Sequence, residues 1–268
     1  MPSRFEVDDG LWAELEPLLP VVQRRYRYPG RKRLDDRAAL NGILFVLHTG
    51  IAWRDLPTEF GYGSGVTCWR RLHEWQQAGV WEQLHQAVLA KLNGAGEIDW
   101  SRAAADSSHI RALFGGLHTG PSPVDRARAG SKHHLLTDAG GLPLAITLTG
   151  GNRNDVTQLL PLVDGIVPVT GKVGRPRQRP DRLLADRGYD HDKYRRELWA
   201  RGIKPLIARR GEDNGSGLGT QRWVVERSFT WLHQFRRLRI RWERDPDQHL
   251  AFMHLACAIV CWRRLRSL

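Results

Sequence analysis

The chain has 268 residues, 41% of them hydrophobic, enough to bury a sizeable core in one large domain or two ordinary ones. Lys and Arg number 41 against 29 Asp and Glu, a formal charge of +12 with an isoelectric point near 10.3. That surplus favours a polyanionic partner, nucleic acid before anionic membrane. No apolar stretch is long enough to span a bilayer, and no basic segment followed by an apolar one opens the chain, so neither a membrane span nor a signal peptide is expected. Cys68, Cys257 and Cys261 make an odd set with no disulfide framework. Cys257 and Cys261 lie one helical turn apart in an apolar run, where reduced Cys acts as a small core residue, and a reducing, cytoplasmic compartment fits.

In chain order, Asp35 and Asp36 cap a predicted helix through residues 38–47 that stops at Thr49 and Gly50. A turn at residues 51–57 and a Gly-rich stretch at 60–65 lead to a second helix from about Val66, carrying Trp69, Arg70, Arg71 and Trp75. A third runs from Val80 to about Leu92. Helix, turn and helix with arginines on the later helix is the layout of a helix-turn-helix DNA reader, and equally that of a small bundle with arginines facing solvent. Residues 93–96 read as a linker, dividing a helical DNA-binding domain (1–96) from a second domain (97–268).

Beyond the linker, residues 100–106 read as a strand ending at Asp106, and residues 133–137 and 142–148 as a hairpin around the Gly-rich turn 138–141. A helix from Asp155, a basic loop at 171–180 and a short apolar strand ending at Asp186 follow. Then come a helix over 190–201, a strand over 204–208, a helix from Gln221 to about Arg237 and a final helix over 246–264. A hairpin followed by alternating strands and helices predicts an α/β fold, a mixed sheet with flanking helices.

Asp106 and Asp186 are each placed where a strand leaves the sheet, and Glu226 sits among large apolar residues on a helix expected to pack on that sheet. Each acid alone is also explained as a cap or salt-bridge partner. Together, converging carboxylates repel one another and call for divalent cations. Two magnesium ions about 4 Å apart would activate a water or 3′-hydroxyl and stabilise the leaving oxygen of an attack on phosphorus.

The blocks Ala105-Asp-Ser-Ser-His109, Leu183-Leu-Ala-Asp-Arg-Gly-Tyr-Asp190 and Trp223-Val-Val-Glu-Arg-Ser-Phe-Thr-Trp-Leu232, in that order, resemble the insertion-sequence-five type of bacterial DDE transposases. So do Gly130-Ser-Lys-His-His-Leu-Leu-Thr-Asp-Ala-Gly-Gly-Leu-Pro143 and Gly150-Gly-Asn-Arg-Asn-Asp155, and the resemblance covers nearly the whole chain. It implies an RNase H-like fold, a catalytic triad of Asp106, Asp186 and Glu226, and Mg²⁺ or Mn²⁺ as cofactor. The implied reaction is strand cleavage and strand transfer at the ends of an insertion sequence with inverted terminal repeats. Related transposases carry Tyr, Arg, Glu and Lys on one stripe of the glutamate helix. Those positions hold Gly219, Arg222, Glu226 and His233 here, so the Arg and Glu match while the Tyr and Lys do not.

Arg222 is placed to clamp a phosphate near the scissile bond. The run from Phe235 to Arg244, with Arg236, Arg237, Arg239 and Arg241, either tracks a DNA backbone or is a solvated basic face. Arg70, Arg71 and Arg227 are further candidates for DNA contact, with Lys132, His133 and Arg153 weaker ones, while His109 either touches substrate or, the reading preferred, hydrogen-bonds nearby. The expected partners are double-stranded DNA, both terminal inverted repeats and target, and a second copy of the chain in a DNA-bound homodimer. Rival readings are an RNase H-like nuclease or resolvase and a transposase-derived DNA-binding protein without catalysis.

Overall fold

The computed structural model describes residues 5–23, 26–28, 30, 32–211 and 219–268. The N-terminal third is helical, with α1 (Asp9–Leu15), α2 (Asp36–Thr49), α3 (Gly65–Gln77) and α4 (Val80–Gly94). Local chemistry sets their ends. The Asp35 carboxylate accepts from the Ala38 N–H to start α2, and Gly50, at φ 75°, adopts the left-handed conformation that closes it onto the Val46 carbonyl. Ser64 accepts from the Thr67 N–H to start α3, one residue before the expected boundary.

The rest is a mixed sheet: β1 (Ala103–Ala112), β2 (Gly120–Pro121), β3 (Ala129–Asp138), β4 (Pro143–Gly150), β5 (Arg182–Ala185), β6 (Lys204–Ile207) and β7 (Ile240–Arg241). Around it lie α5 (Leu159–Asp164), α6 (Asp192–Ala200), α7 (Gly219–His233) and α8 (Pro246–Leu265). The five longer strands run β4-β3-β1-β5-β6, with β3 antiparallel to both neighbours and β1, β5 and β6 mutually parallel. An antiparallel meander continued by parallel strands in this order is the RNase H-like sheet. The two-residue strands extend it, β2 beside the start of β3 and β7 beside the end of β1.

Asp106 does not end its strand, contrary to the sequence reading. β1 continues to Ala112 because β3 pairs with it from Ala103↔Asp138 to Arg111↔Gly130. On its other edge β1 pairs with β5 only at Ala103 and Ala104, and with β7 only from Arg111 onward. Asp106 therefore lies at a fork in the sheet, where one edge of the strand has lost its partner.

The expected linker at 93–96 is also different. Asn93 and Gly94 form the last turn of α4, and the buried Asn93 amide donates to the Thr170 carbonyl (2.7 Å) while accepting from the Trp100 indole (3.0 Å). A single hydrophobic cluster runs from Leu11 and Leu15 through α2–α4 and the sheet to α8. α8, buried from Gln248 to Cys261 apart from the half-buried Leu250, packs against α3, α4, α7 and β4. Cys68, Cys257 and Cys261 are free and buried in this core, as the apolar run around the last two suggested. Trp53, in the turn after α2, stacks on Phe252 of α8 with ring centroids 5.8 Å apart. Phe252→Ala should therefore lower stability by about 3–5 kcal/mol. Denaturant unfolding followed by tryptophan fluorescence checks this, and a loss below about 1 kcal/mol would mean the contact relaxes away.

Candidate active site

Asp106 and Asp186 come together through strand register. Ala104 pairs with Leu184 in parallel, so two residues on the carboxylates emerge side by side where β5 ends. Asp106 is largely shielded, and its Oδ1 accepts from the Ser107 N–H at 2.8 Å. Burial raises its pKa above the ordinary value of 3.8 and the nearby Asp186 adds to the shift, against the pull of the Ser107 amide and the Arg222 guanidinium. Asp186 is exposed and caps a single helical turn, its Oδ1 accepting from the Gly188 N–H at 2.8 Å.

Glu226 is carried by α7, whose Val224, Val225, Ser228, Phe229 and Leu232 are buried. The sequence suggested a buried Glu226, but its side chain is 59% exposed. One helical step turns it away from the apolar face. Arg222, one turn earlier, joins the acids: Nη1 donates to Asp106 Oδ2 (2.8 Å) and Nη2 to Glu226 Oε1 (3.2 Å). Among the described residues, no group of three or more His, Cys, Asp or Glu side chains is assembled as a metal site. The donor set nonetheless suits a hard divalent ion, since it consists of carboxylate oxygens and two of them already share one cation, the Arg222 guanidinium.

The roll of α7 is fixed by the turn between β3 and β4. Ser228 Oγ donates to the Gly141 carbonyl and Arg227 Nη2 to the Gly140 carbonyl. Gly141, at φ 89°, sits so close that a Cβ would lie 3.0 Å from both side chains. Arg227 is also held between the rings of Trp223 (4.5 Å) and Trp231 (4.7 Å). A cavity of about 570 Å³ opens beside it, lined by Trp231, Gln234, Arg263 and Arg264 among others and by none of the three acids.

The basic residues singled out from sequence divide by burial. Arg70, Arg236, Arg239 and Arg153 are exposed, and Arg222 and Arg227 are half-buried. Arg71, Lys132, Arg237 and Arg241 are buried and spend their donors inside the protein. Arg71 pairs with Asp36 (3.0 Å) and Glu74 (3.2 Å), and Lys132 with Asp155 (2.8 Å) and the Arg153 carbonyl (2.8 Å). Arg237 pairs with Glu243 (2.7 Å) and donates to the Ile51 carbonyl (2.7 Å). Arg241 donates to the Glu243 and His118 carbonyls and to Ser131 Oγ. As folded, these four point their charge at internal acceptors rather than at a phosphate.

Sequence reasoning missed the network around Glu243. Glu243 Oε2 accepts from His249 Nδ1 (3.1 Å), and His249 Nε2 lies 2.8 Å from His133 Nε2. A carboxylate only accepts, so His249 carries its proton on Nδ1 and His133 donates through Nε2. Burial lowers the pKa of both rings, keeping them neutral. His109 lies 3.3 Å from Ser122 Oγ through its Nδ1, a local hydrogen bond.

A mixed sheet of this order with helices packed on it defines the RNase H-like α/β fold, and it carries Asp106 on β1, Asp186 just beyond β5 and Glu226 on the packed helix α7. Residues 7–85 match the family model described as a putative transposase of the IS4/5 family, and residues 98–261 the model described as a transposase DDE domain. The putative transposase of insertion sequence element IS402 from Burkholderia cepacia is 60% identical over 153 residues, 57% of this chain and 72% of the relative. An IS402 16.2 kDa protein from the same organism is 60% identical over 118 residues, 44% of this chain and 80% of the relative. Among solved structures, the Mos1 strand transfer complex aligns with 89% of this chain and 81% of that one, at 12% identity and a TM-score of 0.28. The chain belongs to the bacterial insertion-sequence DDE transposases, DNA transposases that depend on divalent metal.

The turn that anchors α7 also carries a pH dependence. The fully buried Asp138 accepts from the Leu142 N–H (2.7 Å) and the Asp99 N–H (3.0 Å), yet burial pushes its pKa up to about 6 from 3.8. A carboxyl whose folded pKa is raised favours folding most below about pH 4, and that contribution is lost as the pH rises through about 6. Asp138→Asn, neutral throughout, should lack this loss, so its stability relative to wild type improves between about pH 4 and 7. Chemical denaturation at several pH values reads it out, and parallel curves would show that Asp138 does not titrate in this window.

Proposed function

We propose that Asp106, Asp186 and Glu226 are the catalytic carboxylates of this transposase and hold two Mg²⁺ or Mn²⁺ ions. The observation that carries the reading is the meeting of Asp106 and Asp186 on adjacent parallel strands, with Glu226 tied to Asp106 through one arginine. When bound, the ions would promote deprotonation of the attacking water or 3′-hydroxyl and stabilise the leaving oxygen. The protein's own contribution is placement. β1 and β5 hold two acids at fixed separation, the clasp of α7 on the β3–β4 turn holds the third, and Arg222 supplies a positive group beside the scissile phosphate.

The DNA is double-stranded, first the terminal inverted repeats and then the target, and the reaction runs in a homodimer in the bacterial cytoplasm. No helix among the described residues is long and apolar enough to cross a membrane. Residues 1–96 read the element ends through the exposed face of α3 with Arg70 and Trp69, while Arg236 and Arg239 track the backbone beside the catalytic domain.

Asp106→Asn, Asp186→Asn and Glu226→Gln should each abolish cleavage of an element-end duplex while duplex affinity stays within a few-fold of wild type. A variant that cuts at near wild-type rate would remove its residue from the site.

Each phosphate contact adds about 0.9 to the slope of log affinity against log salt, so Arg236→Ala with Arg239→Ala should flatten that slope for specific and random duplex alike. An unchanged slope in the folded double variant would assign both side chains to solvent. Arg237→Ala, which strands the buried Glu243, should instead lose about 3–5 kcal/mol of stability.

A further inference from the structure

Arg222 is half-buried, and its two arms end on carboxylates from different elements, Asp106 on β1 at 2.8 Å and Glu226 on α7 at 3.2 Å. A shielded carboxylate such as Asp106 is costly to leave without a cation, so the guanidinium serves the free protein as the counter-charge of the acid cluster. Asp106 and Glu226 are also two of the three carboxylates that a divalent ion would share with Asp186. A guanidinium and a divalent ion drawn to the same two carboxylates repel each other, so a bound ion weakens their hold on Arg222. Arg222 lies in the first turn of α7, and its side chain keeps 23% of its surface exposed.

The geometry points to Arg222 as an exchangeable cation, which holds Asp106 and Glu226 in the free protein and is released to a DNA phosphate when a divalent ion takes those carboxylates. The inference rests on the reading of the three acids as metal ligands. No bond forms or breaks in the exchange: two charge-assisted hydrogen bonds to carboxylate are replaced by hydrogen bonds to phosphate. Metal and DNA then help each other, since each removes the partner that Arg222 would otherwise keep, and the coupling is reciprocal. Arg222 is a positioning residue in this account, acting on the acids before it meets the substrate.

The test is a Mn²⁺ titration of the DNA-free full-length protein, with free ion read by electron paramagnetic resonance, for wild type, Arg222→Gln, Arg222→Lys and Asp186→Asn. Removing a competing cation should tighten binding in Arg222→Gln by about fivefold or more, the lower end of ordinary coupling between sites. Arg222→Lys, a single-point cation, should fall between, and carries the same comparison if Arg222→Gln melts below the assay temperature. In parallel, Mn²⁺ should raise the affinity of wild type for a random duplex more than that of Arg222→Gln. An arginine that merely braces the fold predicts the reverse, binding equal or weaker without it. If Asp186→Asn loses Mn²⁺ while the Arg222 variants bind like wild type or more weakly, the exchange is overturned and the ligand reading stands. If Asp186→Asn binds Mn²⁺ as wild type does, the ligand reading fails first, and the exchange with it.

Discussion

A β-strand has two edges, and the geometry of this protein follows from β1 having to serve more than two neighbours along its length. β3 takes one edge without interruption from Ala103 to Arg111. The other edge is divided, with β5 at its beginning and β7 at its end. Among the described residues, backbone groups between those contacts have no ladder partner on that side, and it is there that Asp106 lies and α7 brings its charged stripe. Had β5 continued alongside β1, neighbouring strand would fill the space the acids share. The fork gives them room, and the unbroken pairing with β3 keeps the strand rigid despite it.

What fills the fork is charge. Arg222 spans Asp106 and Glu226, joining an acid of the sheet to one of the helix. The helix that carries Arg222 is held at its roll by Ser228 and Arg227 on the β3–β4 turn, and that turn is organised by the buried Asp138. Buried polar groups thus fix the angle of α7, which apolar packing alone would leave loosely specified, because a Val or Phe tolerates small rotations that a hydrogen bond does not.

A second buried polar cluster joins the N-terminal helices to the catalytic sheet. Arg237 bonds the Ile51 carbonyl after α2, shares Glu243 with His249, and lies over the rings of Trp53 and Trp242. His249 in turn meets His133 on β3. With α4 packed on α8 through the common core, the helices that face DNA in the proposed reading are braced directly against the sheet that holds the acids.

The chain's local signals determined much of this. Asp35, Gly50 and Ser64 carry helix ends in their own side chains or backbone freedom, and the turn 138–141 announces a hairpin through its glycines. The order of acid-bearing blocks, read with the family they resemble, singled out Asp106, Asp186 and Glu226 as the candidates that the proposed reading rests on. Tertiary structure decided what depends on neighbours distant in sequence. Asp106 lies within its strand because β3, which arrives later, pairs beyond it. Residues 93–96 are no free linker, because Thr170 and Trp100 hold Asn93. The arginines show the limit most plainly. Arg236, Arg237, Arg239 and Arg241 look alike as a basic run, and only the placement of Glu243, Ile51 and Ser131 turns Arg237 and Arg241 inward while Arg236 and Arg239 stay exposed. A sequence records how many charges a segment has, but a guanidinium's role is set by the acceptor it reaches, and folding chooses that acceptor.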